Sequence, residues 1–347
     1  MEHVSLTLAL SVLGGLVLAA IVAHGWWSAR KAGPRQAEPE PRPSERVEPP
    51  LSGESAAPPR PALPLEARVG PVRRAGRLDA LIDALVPLTL ESPVSGELIL
   101  SHMPVTRRAG TKVFLIEGLN AEHGQWEVPL QSQRYGELQA GVQLASRSGA
   151  LNEIEYSEFV QKLQDFCDAV GAMPDFPDML DVVARARELD AFAGPLDAVL
   201  TVTLQSNAVM WSVSYLQQCA GRLGFVPGAV PGRLVLPAQD DGAPPVLVLS
   251  FDAQAALADD PQAAGVRQCT LSLDVPQTDP KFEPFPAWHN AARTLADDMD
   301  ATLVDDQGAP VTLHAFAAIG AELEKIYQSL ESRDLGAGTP AARRLFS

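Results

Sequence analysis

DAVLTVTLQS, Asp197 to Ser206, is the stretch that decides the fold. Leu200, Val202 and Leu204 alternate with Val199, Thr201 and Thr203, the period of two expected of a strand with one buried face. The string recurs upstream as DALVPLTLES, Asp83 to Ser92, with Asp, Ala, Thr, Leu and Ser in register. Pro87 inside that copy predicts an edge or a bulge, because proline cannot donate to a ladder. A second matched pair lies downstream: FVQKLQDFCDAVGA (Phe159–Ala172) and WHNAARTLADDMDA (Trp288–Ala301) share length and patterning. Both read as amphipathic helices. Tyr156, Phe159, Val160, Leu163, Phe166, Cys167 and Val170 share one face of the first; Phe285, Trp288, Ala292, Leu295 and Met299 share one face of the second. The chain therefore carries two related halves.

Working outward from Asp197, the second half reads as a strand Ala198–Leu204 and a helix over about 208–223, stopped by Gly224. Strands follow at Arg233–Leu236, Val246–Phe251 and Gln268–Val275. A helix Phe285–Met299, a strand Ala301–Val304 and a helix Leu313–Leu330 complete it. The first half offers a similar series: Leu85–Leu90, Lys112–Glu117, Trp126–Pro129, Leu138–Ala145, the Tyr156 helix, then Asp178–Leu189. Strands with helices inserted between hairpins imply an α+β fold of split β-α-β type, a mainly antiparallel sheet with helices packed on one face. Alternation aims Leu200, Val202, Leu204, Leu247, Leu249, Phe251, Leu271 and Leu273 at the helices. The open face then carries Val199, Thr201, Thr203, Val246, Val248, Ser250, Thr270 and Ser272, with Val230 on the neighbouring rim.

Before the halves come two segments of another kind. Val4 to Trp27 is apolar apart from Ser5, Thr7, Ser11 and His24, long enough to cross a hydrocarbon core of roughly 30 Å. No Lys or Arg precedes it, while Arg30, Lys31 and Arg35 follow, so a transmembrane helix with its N-terminus outside is expected. A cleaved signal peptide would need a positive start and a shorter apolar core. Residues 30–76 are rich in proline, glutamate, arginine and alanine and read as an extended, disordered spacer. The expected division is 1–29 anchor, 30–76 linker, 77–193 first half, 194–333 second half and 334–347 flexible tail.

Composition narrows the chemistry. Across 347 residues, 43 acidic side chains face 27 basic ones, a net charge of −16, which repels nucleic-acid backbones. The open face also lacks the aromatics that stack RNA bases. Cys167, Cys219 and Cys269 form no CxxC and read as buried thiols of a reducing compartment. No phosphate loop, HExxH, paired Cys/His set or nucleophile elbow is present. His289 and His314 sit on predicted helices, and the pairs Asp297-Asp298 and Asp305-Asp306 at a helix end and a turn. No catalytic residue, metal, cofactor or small-molecule substrate is expected.

LQQCAGRLGF (Leu216–Phe225), CTLSLDVP (Cys269–Pro276) and LVDDQGAPVT (Leu303–Thr312), together with the anchor–linker–domain order, resemble the ZipA-type cell-division proteins. The resemblance implies a non-enzymatic protein of the bacterial inner membrane, at the division site, with its C-terminal domains cytoplasmic. It implies a partner too: the C-terminal tail of the tubulin-like GTPase FtsZ, held on the open sheet face by the residues named above. The first half, 77–193, departs from the family's single-domain layout and reads as a diverged copy. The open face, rich in Thr, Ser and Val, departs from the Met, Ile and Phe platform of the family. A scaffold for another envelope-assembly partner is the alternative.

Overall fold

The computed structural model describes residues 77–347 apart from Asp241, Ala263 and Thr312. The expected anchor and linker lie outside the described residues. Among the described residues, no helix is long and apolar enough to cross a membrane. The described chain divides into two compact units, one made of 77–197 with 329–347 and the other of 198–328. Each mixes helices with an antiparallel sheet.

The first unit contains β1 (Asp83–Leu90), α1 (Gly96–Ser101), β2 (Lys112–Asn120), β3 (Arg134–Gln143), α2 (Glu153–Val170), β4 (Ala172–Pro174) and α3 (Met179–Ala193). Its sheet runs β2-β3-β1-β4, with Arg108–Ala109 beyond β2. The second contains β5 (Val199–Ser206), α4 (Val213–Arg222), β6 (Val226–Pro227), β7 (Arg233–Leu236), β8 (Leu247–Ser250), β9 (Gln268–Asp274), α5 (Pro284–Met299), β10 (Ala301–Val304) and all but the last three residues of α6 (Leu313–Glu331). Its sheet runs β6-β7-β8-β9-β5-β10. The path β8-β9-β5-β10 repeats β2-β3-β1-β4, with helices inserted at the same points of the chain. The repeat in sequence is thus a repeat of connectivity.

Local chemistry sets these elements. Asn152 and Glu155 form a capping box at the start of α2, and Gly171 ends that helix in the left-handed region at φ 71°. Helix α4 starts at Val213, later than the spacing predicts, because Trp211 and Ser212 first pair with Val266 and Gly265. The Ser212 hydroxyl then caps the helix by accepting from Tyr215 N at 3.1 Å. Pro87 pairs with Gln139 of β3, and its carbonyl accepts from Asp175 N at 3.0 Å. Its nitrogen therefore faces the side where the short strand β4 ends, and no hydrogen bond of the β1–β3 ladder is lost.

Both cores lie between sheet and helices. In the second unit Val202, Leu271, Leu249 and Leu234 make one cross-strand row, all buried. All the residues that alternation aims at the helices belong to this core or pack against it. Trp288, 2% exposed, donates its Nε1–H to Leu271 O at 3.3 Å and stacks 6.0 Å from Phe285. In the first unit Val86, Ala140 and Ile116 form the comparable row. There Phe114 meets Phe159 of α2 edge-on at 5.4 Å.

Residues 334–347, expected as a flexible tail, belong instead to the first unit. A further helix α7 (Pro340–Leu345) buries Ala341, Ala342 and Leu345, and Phe346 beside it is buried as well. Arg344 grips both carboxylate oxygens of the fully buried Asp83, at 2.7 and 2.6 Å, across 261 residues of sequence. Gln143, opposite Asp83 in the sheet, donates to Arg344 O at 2.6 Å. A buried carboxylate needs such a cation, and the tail supplies it. The expectation failed because its Gly, Arg and Ala content looks like solvent-exposed chain.

Candidate functional site

Residues directly opposite in a ladder share a face. On the side of the second sheet away from Leu249 and Leu271, one row therefore reads Val226, Val235, Val248, Ser272 and Thr201, across β6, β7, β8, β9 and β5. The next row reads Arg233, Ser250, Thr270 and Thr203, and Val199 lies opposite Asp274. Val199 is 49% exposed, Val226 44% and Val230 54%. The hydroxyls of Thr203 and Thr270 lie 3.3 Å apart, and Ser272 Oγ donates to Val248 O at 3.2 Å. The polar atoms at the centre are thus engaged with each other, and the valines give the surface its apolar character.

Most of the residues assigned to this face from sequence are brought together here. Val199, Thr201, Thr203, Val248, Ser250, Thr270 and Ser272 lie on it, exposed or half-buried. Val230 stands on the rim, its carbonyl accepting from Arg233 N at 3.2 Å. Val246 does not belong. It is 6% exposed and packs in the core. The reason is a bend at Val246, after Pro244-Pro245; β8 begins only at Leu247, so alternation does not extend back to it. Val226, Val235 and Arg233 were missed. The last two could have been found by extending the alternation through Arg233–Leu236; a two-residue strand such as β6 has no period to read.

The corresponding face of the first unit is overlain at one end, while Pro87, Thr89 and Glu137 on it stay exposed. Arg77 N and Leu78 N both donate to Glu117 Oε1, Leu78 at 3.0 Å, drawing the lead-in to β1 across that side of the sheet. Leu78 Cδ2 lies only 2.5 Å from where a β-carbon on Gly141 would stand, so the leucine packs directly onto the glycine and a larger residue there would have to displace it.

Other chemical groups are occupied structurally. Lys112, 1% exposed, donates its three protons to hydroxyls of Thr111, Ser146 and Ser148, each at 3.1 Å. Burial lowers its pKa, against the pull of the Glu155 carboxylate. Burial also pushes the Cys167 and Cys269 thiols up to about 12, so neither is a nucleophile at neutral pH. Asp305 Oδ1 accepts from Gln307 N and Ala309 N at 2.9 and 2.8 Å, holding a turn. Among the described residues no group of His, Cys, Asp and Glu is placed to hold a metal.

No family model matches the chain, and no curated protein does either. Among solved structures, berberine bridge enzyme in complex with (S)-reticuline is 9% identical over 76% of this chain and 53% of its own, with a TM-score of 0.16. The same enzyme from Eschscholzia californica in a monoclinic form is 8% identical over 75% and 55%, with a TM-score of 0.15. The chain spans little more than half the length of these proteins, and likeness at that level shows no common fold.

Proposed function

We propose that this chain is a non-enzymatic, ZipA-type division protein that tethers FtsZ to the bacterial inner membrane. The open face of the second unit, a split β-α-β fold, holds the FtsZ C-terminal tail. Segment 4–27 is the anchor, with its N-terminus periplasmic, and 30–76 is a spacer that gives the cytoplasmic units reach. The observation that carries this reading is the valine row from Val226 to Val248, exposed at its margin and backed by a buried core. An apolar side chain docked there would leave water without unpairing any sheet hydrogen bond, a contribution of about 1.5–3 kcal/mol for each well-buried anchor. Tethering raises the effective concentration of so shallow a contact, and many chains on one membrane would bind a polymer by avidity.

A titration of residues 77–347 with an FtsZ C-terminal peptide tests it. Saturable binding abolished by excess unlabelled peptide is expected. No binding, with capture of a different envelope-assembly protein by the same fragment, would overturn it.

A further inference from the structure

We propose that Arg233 reads an acidic side chain of the docked peptide, so that this face takes an apolar segment carrying an aspartate or glutamate beside its anchor. The inference rests on the docking reading above and specifies the chemistry of its partner.

Arg233 is exposed at the start of β7, on the open face by register with Ser250. Strand geometry puts it roughly 8 Å from Val248, one strand and one same-face step away. Its place is fixed. Gly232 before it holds φ at 77°, and a β-carbon there would stand 2.6 Å from Phe251 O, so this turn admits only glycine. Arg222, Lys281 and Lys325 of the same unit pair with Asp298, Asp240 and Glu322. Arg233, Arg267 and Arg293 pair with no carboxylate among the described residues, and of these register places Arg233, opposite Ser250, on the open face. An unpaired guanidinium on an apolar face, in a chain of net charge −16, is a local exception to a repulsive surface. On the open face an acidic side chain is favoured beside Arg233, which sets where along the valine row the peptide's charge lies. The planar fork of arginine suits a carboxylate in two-pronged contact.

The test uses the full chain in lipid nanodiscs, titrated with the FtsZ C-terminal peptide and with versions in which each carboxylate is replaced singly by its amide. Arg233→Gln should weaken binding roughly two- to fivefold at 0.1 M salt, the range for a partly exposed ion pair. Arg233→Glu should weaken it further, and a lysine at the matching peptide position should restore it. One amide replacement should weaken wild type equally and leave Arg233→Gln unaffected, since the partner is already gone. If wild type binds while Arg233→Gln binds equally well, the inference fails and the apolar docking stands. If the loss is the same whichever carboxylate is removed, Arg233 reads no particular side chain and the inference also fails. Absence of any wild-type binding overturns the docking reading itself and this inference with it.

Discussion

Val248→Glu and Leu249→Glu put the same carboxylate on opposite sides of β8. Leu249 is fully buried in the row with Leu234 and Leu271. Removing its packing costs about 2–5 kcal/mol. The carboxyl left there must take a proton at pH 7, about 4 kcal/mol uphill from an ordinary glutamate pKa. The sum, on the order of 6–9 kcal/mol, consumes most of the stability of a typical domain. Val248 faces Val235 and Ser272 on the half-buried side, so its replacement should cost only about 1 kcal/mol in strand preference. Urea denaturation followed by tryptophan fluorescence reads both, since Trp211 and Trp288 lie in this unit. Leu249→Glu should abolish the second unit's transition. Val248→Glu should keep it and weaken FtsZ-tail binding by about 1–3 kcal/mol, because the peptide would bury an unpaired charge. The reverse pattern, Val248→Glu unfolded and Leu249→Glu native, would show the sheet to be assigned inside out.

Trp288→Ala removes a buried aromatic and should lower stability by about 3–5 kcal/mol in the same assay; a melting point unchanged within a degree would contradict its burial. Arg344→Met leaves Asp83, whose pKa burial already raises, without its cation, and should destabilise the first unit by about 3–5 kcal/mol. Adding Asp83→Asn should recover part of that loss, and equal stability of both variants would deny the pairing. Burial pushes the Tyr156 and Tyr327 hydroxyls up to about 12. An unfolded tyrosine ionises near pH 10, so the stability each gives is intact below that value. It should fall by at most about 1.4 kcal/mol per pH unit between pH 10 and 12. Melting curves of Tyr156→Phe and Tyr327→Phe should lose that slope in turn.

Periodic elements were legible and short-range exceptions were not. Strand Ala301–Val304 and the helix carrying Trp288 emerge from sequence almost to the residue, because a long apolar stripe or an uninterrupted alternation states its own face. Val246 fails the same reasoning through one bend that parity cannot register. Helix α4 was started too early because Ala208, Val209 and Met210 suit a helix, whereas the pairing of Trp211 with Val266, distant in sequence, claims the chain first. The Arg344–Asp83 pair was invisible for the same reason. Two charged residues far apart carry no local period, and only the folded chain makes them neighbours.

The returning C-terminus also sets a schedule for synthesis. Among the described residues the first unit runs from Arg77 and closes with Leu345 and Phe346, while the second occupies the single run 198–328. During translation the later run is complete while the earlier unit still lacks Arg344, leaving Asp83 without its cation. The half encoded first is therefore the half that finishes folding last. A ribosome stalled at any point before Arg344 leaves it exposed to proteases with its last helix missing.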